Sequence, residues 1–289
     1  MPTSVSTQAE WSSCRPQELP GLHAVDARFQ ALICDVWGVI TDGVTLFAEA
    51  KDALACFRAR CGPIALLTNS ARPGPLVARR LEALGLSSQI VDTVVTAGDC
   101  ARTVVAERFS GRRLAHIGPD FDRPLLADLP TTLVADPEAA DVLLVTGPIC
   151  ADVTAHRLLL EEPAKRRIPL ICANPDRWVR YGGRRIPCAG LLADLYEEMG
   201  GPVIRAGKPA AFCFHEAARR LGFAGSESRQ AVLVIGDGLE TDIRGAQAAG
   251  MASLWVRGGL HADELENGDE SLFREAQVCP DYVMDRLRW

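Results

Sequence analysis

The stretch Ala31–Gly43, ALICDVWGVITDG, decides how the rest of the chain is read. Ala31 to Cys34 form a continuous apolar run, short enough for a strand and with no polar face. The run stops at Asp35, and the residues after it carry the Gly and Asp of a turn, Gly38 and then Asp42-Gly43. Strands without a polar face belong to parallel sheets covered on both sides by helices, which take their ligands outside the carboxyl ends of the strands. A carboxylate at that end is costly unless it is paired, bound to metal or used. Asp35 has two readings on this segment alone. It is either a nucleophile that splits a displacement in two through an acyl-phosphate, or a strand-terminal residue capping a turn.

Working outward, the signature of Leu32–Cys34 repeats at Ile64–Thr68, Ile90–Thr96, Leu114–Ile117, Thr132–Ala135, Val142–Thr146, Leu170–Ala173, Val232–Gly236 and Ser253–Val256. Helix-like stretches lie between these runs, among them Glu49–Arg60, Asp99–Phe109, Ala151–Lys165 and Thr241–Ala249. Buried strands alternating with helices predict an α/β fold: a doubly wound parallel-sheet, Rossmann-like core with an inserted smaller α/β cap domain. The chemistry-bearing segments lie before residue 75 and after residue 205, with a separate strand–helix block between them. The expected division is a tail over 1–21, core over 22–97, cap over 98–189 and core again over 190–289. Small residues at Ala97-Gly98 and Ala189-Gly190 suit the two hinges.

Composition narrows the function. A hydrophobic share of 48% supports a full core, and a net charge of −6 with no dense basic run argues against nucleic acid as a partner. No run reaches the about 18 apolar residues of a membrane helix, so no membrane partner is expected. The ten cysteines are scattered singly, without C-x-x-C pairs, and read as small hydrophobes in a chain long enough to need no disulfide. The first residues, MPTSVSTQAEWSSCRPQ, lack the basic start and apolar stretch of a secretory signal. A reducing cytoplasm is the expected location, and a homodimer stays open.

Three further segments carry polar groups at strand ends. IALLTNSARP, residues 64–73, runs from a buried strand into Thr68, Asn69 and Ser70. It reads as an anion cradle of hydroxyl and main-chain N–H groups, or as a helix start before Pro73. RAGKPAAFCF, residues 205–214, presents Lys208 as a helix begins; it either neutralises an anion or is solvated. In AVLVIGDGLETDIRG, residues 231–245, a strand runs into Asp237, with Asp242 in the next helical turn. Paired carboxylates there suit a hard divalent cation, or Asp242 complements the helix dipole. A dinucleotide motif fails, because its third glycine would fall on Thr241.

Taken together, Asp, Thr, Lys, then Asp with Asp at strand ends in this order resemble the haloacid dehalogenase superfamily of aspartate-nucleophile hydrolases. Asn174-Pro175-Asp176, the glycine of Cys188-Ala189-Gly190 and Gly207-Lys208-Pro209 resemble its subclass with a large α/β cap, alongside pyridoxal-phosphate and p-nitrophenyl phosphatases. The resemblance covers roughly residues 30 to 260. It implies a hydrolase of a small phosphorylated metabolite in which Asp35 attacks phosphorus. Mg²⁺ would be held by Asp35, the main-chain carbonyl of Trp37 and Asp237, with Asp242 acting through water. Thr68 and Asn69 would grip the phosphoryl oxygens, and Lys208 would hold Asp35 and the phosphate in line. Substrate contacts from the cap are expected at Asn174, Asp176, Arg177 and Gly190, with Trp178, Arg180 and Tyr181 as a wall or an ordinary surface loop. His116 and His156 have no partner spacing and read as structural.

One position departs from the family pattern. Residue 37 is Trp where its phosphatases carry a second Asp, the acid that protonates the leaving group. Indole is only a donor and can neither supply nor take up that proton. The alternatives are therefore a catalytically weak phosphometabolite-binding protein, or dehalogenation or phosphonate cleavage at the same nucleophile. Asp42 could replace the missing acid, although its place in an Asp-Gly turn accounts for it.

Overall fold

The computed structural model describes residues 14–25, 27–181, 184–259 and 269–289. Most of the expected N-terminal tail, and Gly182-Gly183 of the cap loop, lie outside the described residues. The strands in chain order are β1 (Gln17–Glu18), β2 (Ala31–Cys34), β3 (Ile64–Thr68), β4 (Thr93–Thr96) and β5 (Arg113–Ile117). They continue with β6 (Thr132–Val134), β7 (Val142–Val145), β8 (Leu170–Cys172), β9 (Trp178–Tyr181) and β10 (Arg184–Pro187). The last are β11 (Val203–Arg205), β12 (Val232–Gly236), β13 (Ala252–Val256) and β14 (Tyr282–Met284). Every strand expected from an apolar run is present. The fold is α/β, with a parallel core sheet and a second parallel sheet in the insert.

The described residues up to Leu66, with Leu86–Thr93 and Phe214–Trp289, form one compact unit; Leu67–Gly85 with Val94–Cys213 form the second. The core sheet has the order β1-β14-β13-β12-β2-β3-β4. β2 and β12 are buried along their whole length and pair in parallel, Cys34 opposite Ile235. Behind them Trp255 meets Phe273 edge-on at 5.3 Å in a cluster with Leu239, Ile243 and Leu272. Residues 14–18 adhere to this unit: β1 adds to β14, and Cys14 is joined to Cys279 by a disulfide. That bond corrects the reading of all ten cysteines as free hydrophobes. It also removes cysteine usage as support for a reducing compartment. No helix among the described residues is long and apolar enough to cross a membrane.

The second unit carries a five-stranded parallel sheet in the order β11-β8-β7-β5-β6. Its core sets Val145, Leu170 and Cys172 against Ala189, Leu192, Ala193 and Tyr196 of the helix Ala189–Glu198. The Tyr196 hydroxyl donates to the Ile168 carbonyl at 2.6 Å. This helix and β11 belong to the second unit. β11 gave no apolar run because its three residues are only half-buried and end in an arginine. β9 and β10 form a separate antiparallel hairpin, in which the Arg185 guanidinium lies over the Trp178 ring at 5.0 Å.

Candidate active site

In the first unit, two adjacent parallel strands end in carboxylates. Asp35 follows β2, and its backbone N–H continues the ladder by donating to the Ile235 carbonyl at 2.8 Å. Asp237 follows β12, and its own carbonyl accepts from the buried Trp255 indole at 2.9 Å. Trp255 lies inside an apolar strand, and nothing in the sequence marks it as a support for the site. After Gly238 the chain makes a wide π-type turn over Leu239–Ile243, which brings Asp242 back to the strand end. There the Asp242 carboxylate accepts from the Gly238 backbone at 3.1 Å and the Thr241 hydroxyl at 3.2 Å.

The outcome is a cluster of three buried carboxylates, Asp35, Asp237 and Asp242, each of which offers one oxygen within 4.8 Å of the others. Like charges this close in a desolvated place disfavour their common ionised state. A hard divalent cation with oxygen ligands reverses that penalty, and the all-oxygen donor set fits one. The surroundings keep the carboxylates close. A Cβ at Gly38, which has φ of +84°, or at Gly259 would collide with the Asp237 carboxylate. Gly38 serves both needs at once, since left-handed backbone and close approach each favour glycine.

Trp37 is half-buried, and its indole packs on the turn at Gly43, where a Cβ would collide with the ring. Asp42 makes that turn, its carboxylate accepting from Val44 N at 2.9 Å and Thr45 N at 2.7 Å. The bond from Thr45, then that from Val44, holds its carboxyl below the ordinary range, so it stays ionised and is no proton donor.

In the second unit, Thr68 ends β3 and is buried, and Asn69 behind it works through its side chain. The Asn69 amide donates to Asp176 Oδ1 at 2.8 Å and to the Lys208 carbonyl at 3.3 Å, while its oxygen accepts from Lys208 N at 2.8 Å. Both amide hydrogens are thereby used to lock two loops. Lys208 is only 4% exposed, which sets aside the reading of a solvated lysine. Asn174 accepts from Asp176 N at 3.3 Å and shapes the loop. Gly190 lets that loop pack on the helix start, since a Cβ would collide with the Asp176 and Pro175 carbonyls. Arg177 is directed to Asp194, Nε to Oδ2 at 2.9 Å. His156 is held within its own turn and accepts from Ile149 N at 3.0 Å, a structural role.

Residues 32–129 match the model of haloacid dehalogenase-like hydrolases, and residues 205–289 match a HAD-hydrolase-like model. A solved hydrolase of the haloacid dehalogenase-like family from Brucella suis is 37% identical. It covers 93% of this chain and 100% of its own, with a TM-score of 0.81. D-glycerol 3-phosphate phosphatase of Mycobacterium tuberculosis is 26% identical, with 92% of this chain and 72% of that protein covered. Human chronophin is also 26% identical, with 92% and 93% covered. The chain belongs to the haloacid dehalogenase-like hydrolases.

Proposed function

We propose that this hydrolase is a Mg²⁺-dependent phosphatase of a small phosphorylated metabolite that works through an aspartyl-phosphate. The observation that carries the reading is the buried cluster of Asp35, Asp237 and Asp242 at the ends of adjacent parallel strands. The phosphatases among its relatives support it. In the proposed reaction an Asp35 oxygen forms a bond to phosphorus as the P–O bond to the alcohol breaks. Water then attacks phosphorus, releasing inorganic phosphate and restoring the carboxylate. Mg²⁺ would be held by Asp35, Asp237, the Trp37 carbonyl and, through water, Asp242, and would neutralise charge on the phosphoryl oxygens. The Thr68 hydroxyl, the Asn69 backbone N–H and the Lys208 ammonium are the proposed phosphate grip. Positioning and charge neutralisation of this kind account for most of phosphoryl-transfer catalysis.

Trp37 sets the expected substrate range. Without an acid at that position, esters of good leaving groups or substrates that bring their own proton should react best. The same residue supports a second reading, a protein that binds phosphometabolites and turns them over slowly.

Phosphate release from acyl, aryl, sugar and nucleotide phosphates separates the two. It should be measured with Mg²⁺ and with chelator, on wild type and Asp35→Asn. Turnover that needs both Mg²⁺ and Asp35 is the expected result. Saturable binding with no turnover would leave the second reading standing. Turnover that persists in chelator would point to dehalogenase-type chemistry.

A further inference from the structure

The carboxyl edge of the five-stranded sheet holds a polar group that the reaction above does not use. His116 is near the end of β5, Thr146 follows β7, Asp122 lies in the short helical segment Asp120–Leu126, and Arg72 is in the loop after β3. Open parallel sheets bind ligands along this edge. We propose that His116, Thr146, Asp122 and Arg72 form a subsite for the hydroxyl-bearing carbon chain of the substrate, a short neutral polyol esterified to phosphate. The inference rests on the phosphatase reading and names the class of alcohol it releases.

Thr146 and Asp122 are 3% and 4% exposed. The Thr146 hydroxyl lies 2.9 Å from His116 Nε2 and pulls the Asp122 carboxyl downward. Burial, then the Arg123 charge, lowers the His116 imidazole to about 4. It is therefore neutral at pH 7, one ring nitrogen a donor and the other an acceptor. The group is closely fitted: a Cβ at Gly118 would collide with the Thr146 hydroxyl.

Asp122 is the informative member. Among the described residues its carboxylate interacts with the Thr146 hydroxyl and faces Arg72 Nε at 3.9 Å, too far for a hydrogen bond. A carboxylate has about four acceptor sites, and buried ones ordinarily fill more of them. Burial raises its carboxyl above the ordinary range, against the pull of Thr146 and Arg72. Donors from a ligand hydroxyl would complete it. Arg72 spreads over the Phe121 ring at 5.0 Å, with Phe121 62% exposed, giving a donor and an apolar surface side by side. Asp122 and Arg72 offset each other in charge, which suits a neutral polyol better than a charged one.

The subsite adjoins the proposed phosphate grip within the same unit. Arg72 is four residues beyond Thr68, and its backbone N–H donates to Ser70 Oγ at 3.2 Å. The buried Cys188 thiol, pushed up to about 12 chiefly by desolvation, feels both Asp176, the partner of Asn69, and Asp122.

The test compares glycerol 3-phosphate with propyl phosphate, an alcohol of the same length without the extra hydroxyls. Thr146→Val should lower kcat/KM for glycerol 3-phosphate about tenfold or more beyond its effect on propyl phosphate, as losing a hydroxyl-recognising bond does. Asp122→Asn should do the same, and Thr146→Ser should restore the preference. Equal losses on both esters, or no change on either, would overturn the subsite. If wild type hydrolyses neither ester, the phosphatase reading fails and the subsite is judged by melting temperature. Glycerol 3-phosphate should then raise that of wild type more than that of Thr146→Val, and equal shifts, zero included, overturn it.

Discussion

The carboxyl edge of the seven-stranded sheet carries Asp35, Asp237 and Asp242, packed against glycines. The corresponding edge of the five-stranded sheet carries Lys208, Asn174, Asp176, Thr146, His116 and Asp122. Both are parallel open sheets, so backbone geometry alone would equip them alike. The first gathers like charges, a donor set whose mutual repulsion a cation relieves. The second mixes a lysine, amides, a hydroxyl, a neutral imidazole and carboxylates, and nearly every bond among them is a specific donor–acceptor match. One edge is suited to hold charge for chemistry, the other to recognise an organic group.

The comparison breaks hardest at Asp35. Asp35→Asn should lower phosphate release at least about a thousandfold, since it removes the attacking group while keeping the shape. A loss of tenfold or less, read as kcat on an aryl phosphate, would move the nucleophile elsewhere. Trp37→Asp probes the same edge in the other direction. Supplying the absent acid should raise turnover of alkyl phosphates by about 10²–10⁴-fold and aryl phosphates far less. Unchanged or lower rates would mean the indole packed on Gly43 belongs to a site with other chemistry.

At the second edge the effects should be smaller and appear first in stability. Asn69→Ala removes the bonds to Asp176 and Lys208. It should cost about 1–3 kcal/mol in denaturant unfolding, because buried partners are left unmatched. An unchanged midpoint would remove Asn69 as the lock between loops. The smallest effect is a pH slope. His116 titrates near 4 in the folded chain against an ordinary value of 6.5, so the unfolded chain binds this proton more readily. Its contribution is present above pH 6.5 and is lost as pH falls toward 4, about 1–2 kcal/mol once discounted for partial exposure. His116→Gln should flatten the stability profile over that window, and an unaltered profile would contradict a buried neutral imidazole.

The two edges were also unequally legible. Each carboxylate of the first closes an apolar run, so Asp35 and Asp237 stand out once the strands are recognised, and Asp242 follows one turn later. The strands themselves were legible wherever Val, Ile and Leu ran unbroken, while β11, three half-buried residues ending in Arg205, gave no such signal. At the second edge Thr146 reads as the last residue of a strand and His116 as structural, and no pattern singles out Asp122. Their meeting depends on the order β7-β5 in the sheet, which no spacing encodes. Asn69 was legible as polar and well placed, yet its side chain is committed to Asp176 and Lys208, residues more than a hundred positions away. The Cys14–Cys279 disulfide, with its partners 265 residues apart, left no pattern among ten scattered cysteines.

The central claim is that three clustered carboxylates make the first edge a cation site. Titrating Mg²⁺ into wild type and Asp237→Asn by calorimetry tests it without any assumed substrate. One Mg²⁺ per wild-type chain, with affinity lowered at least about tenfold in Asp237→Asn, is the predicted result. Equal binding in both, or none in wild type, would contradict it.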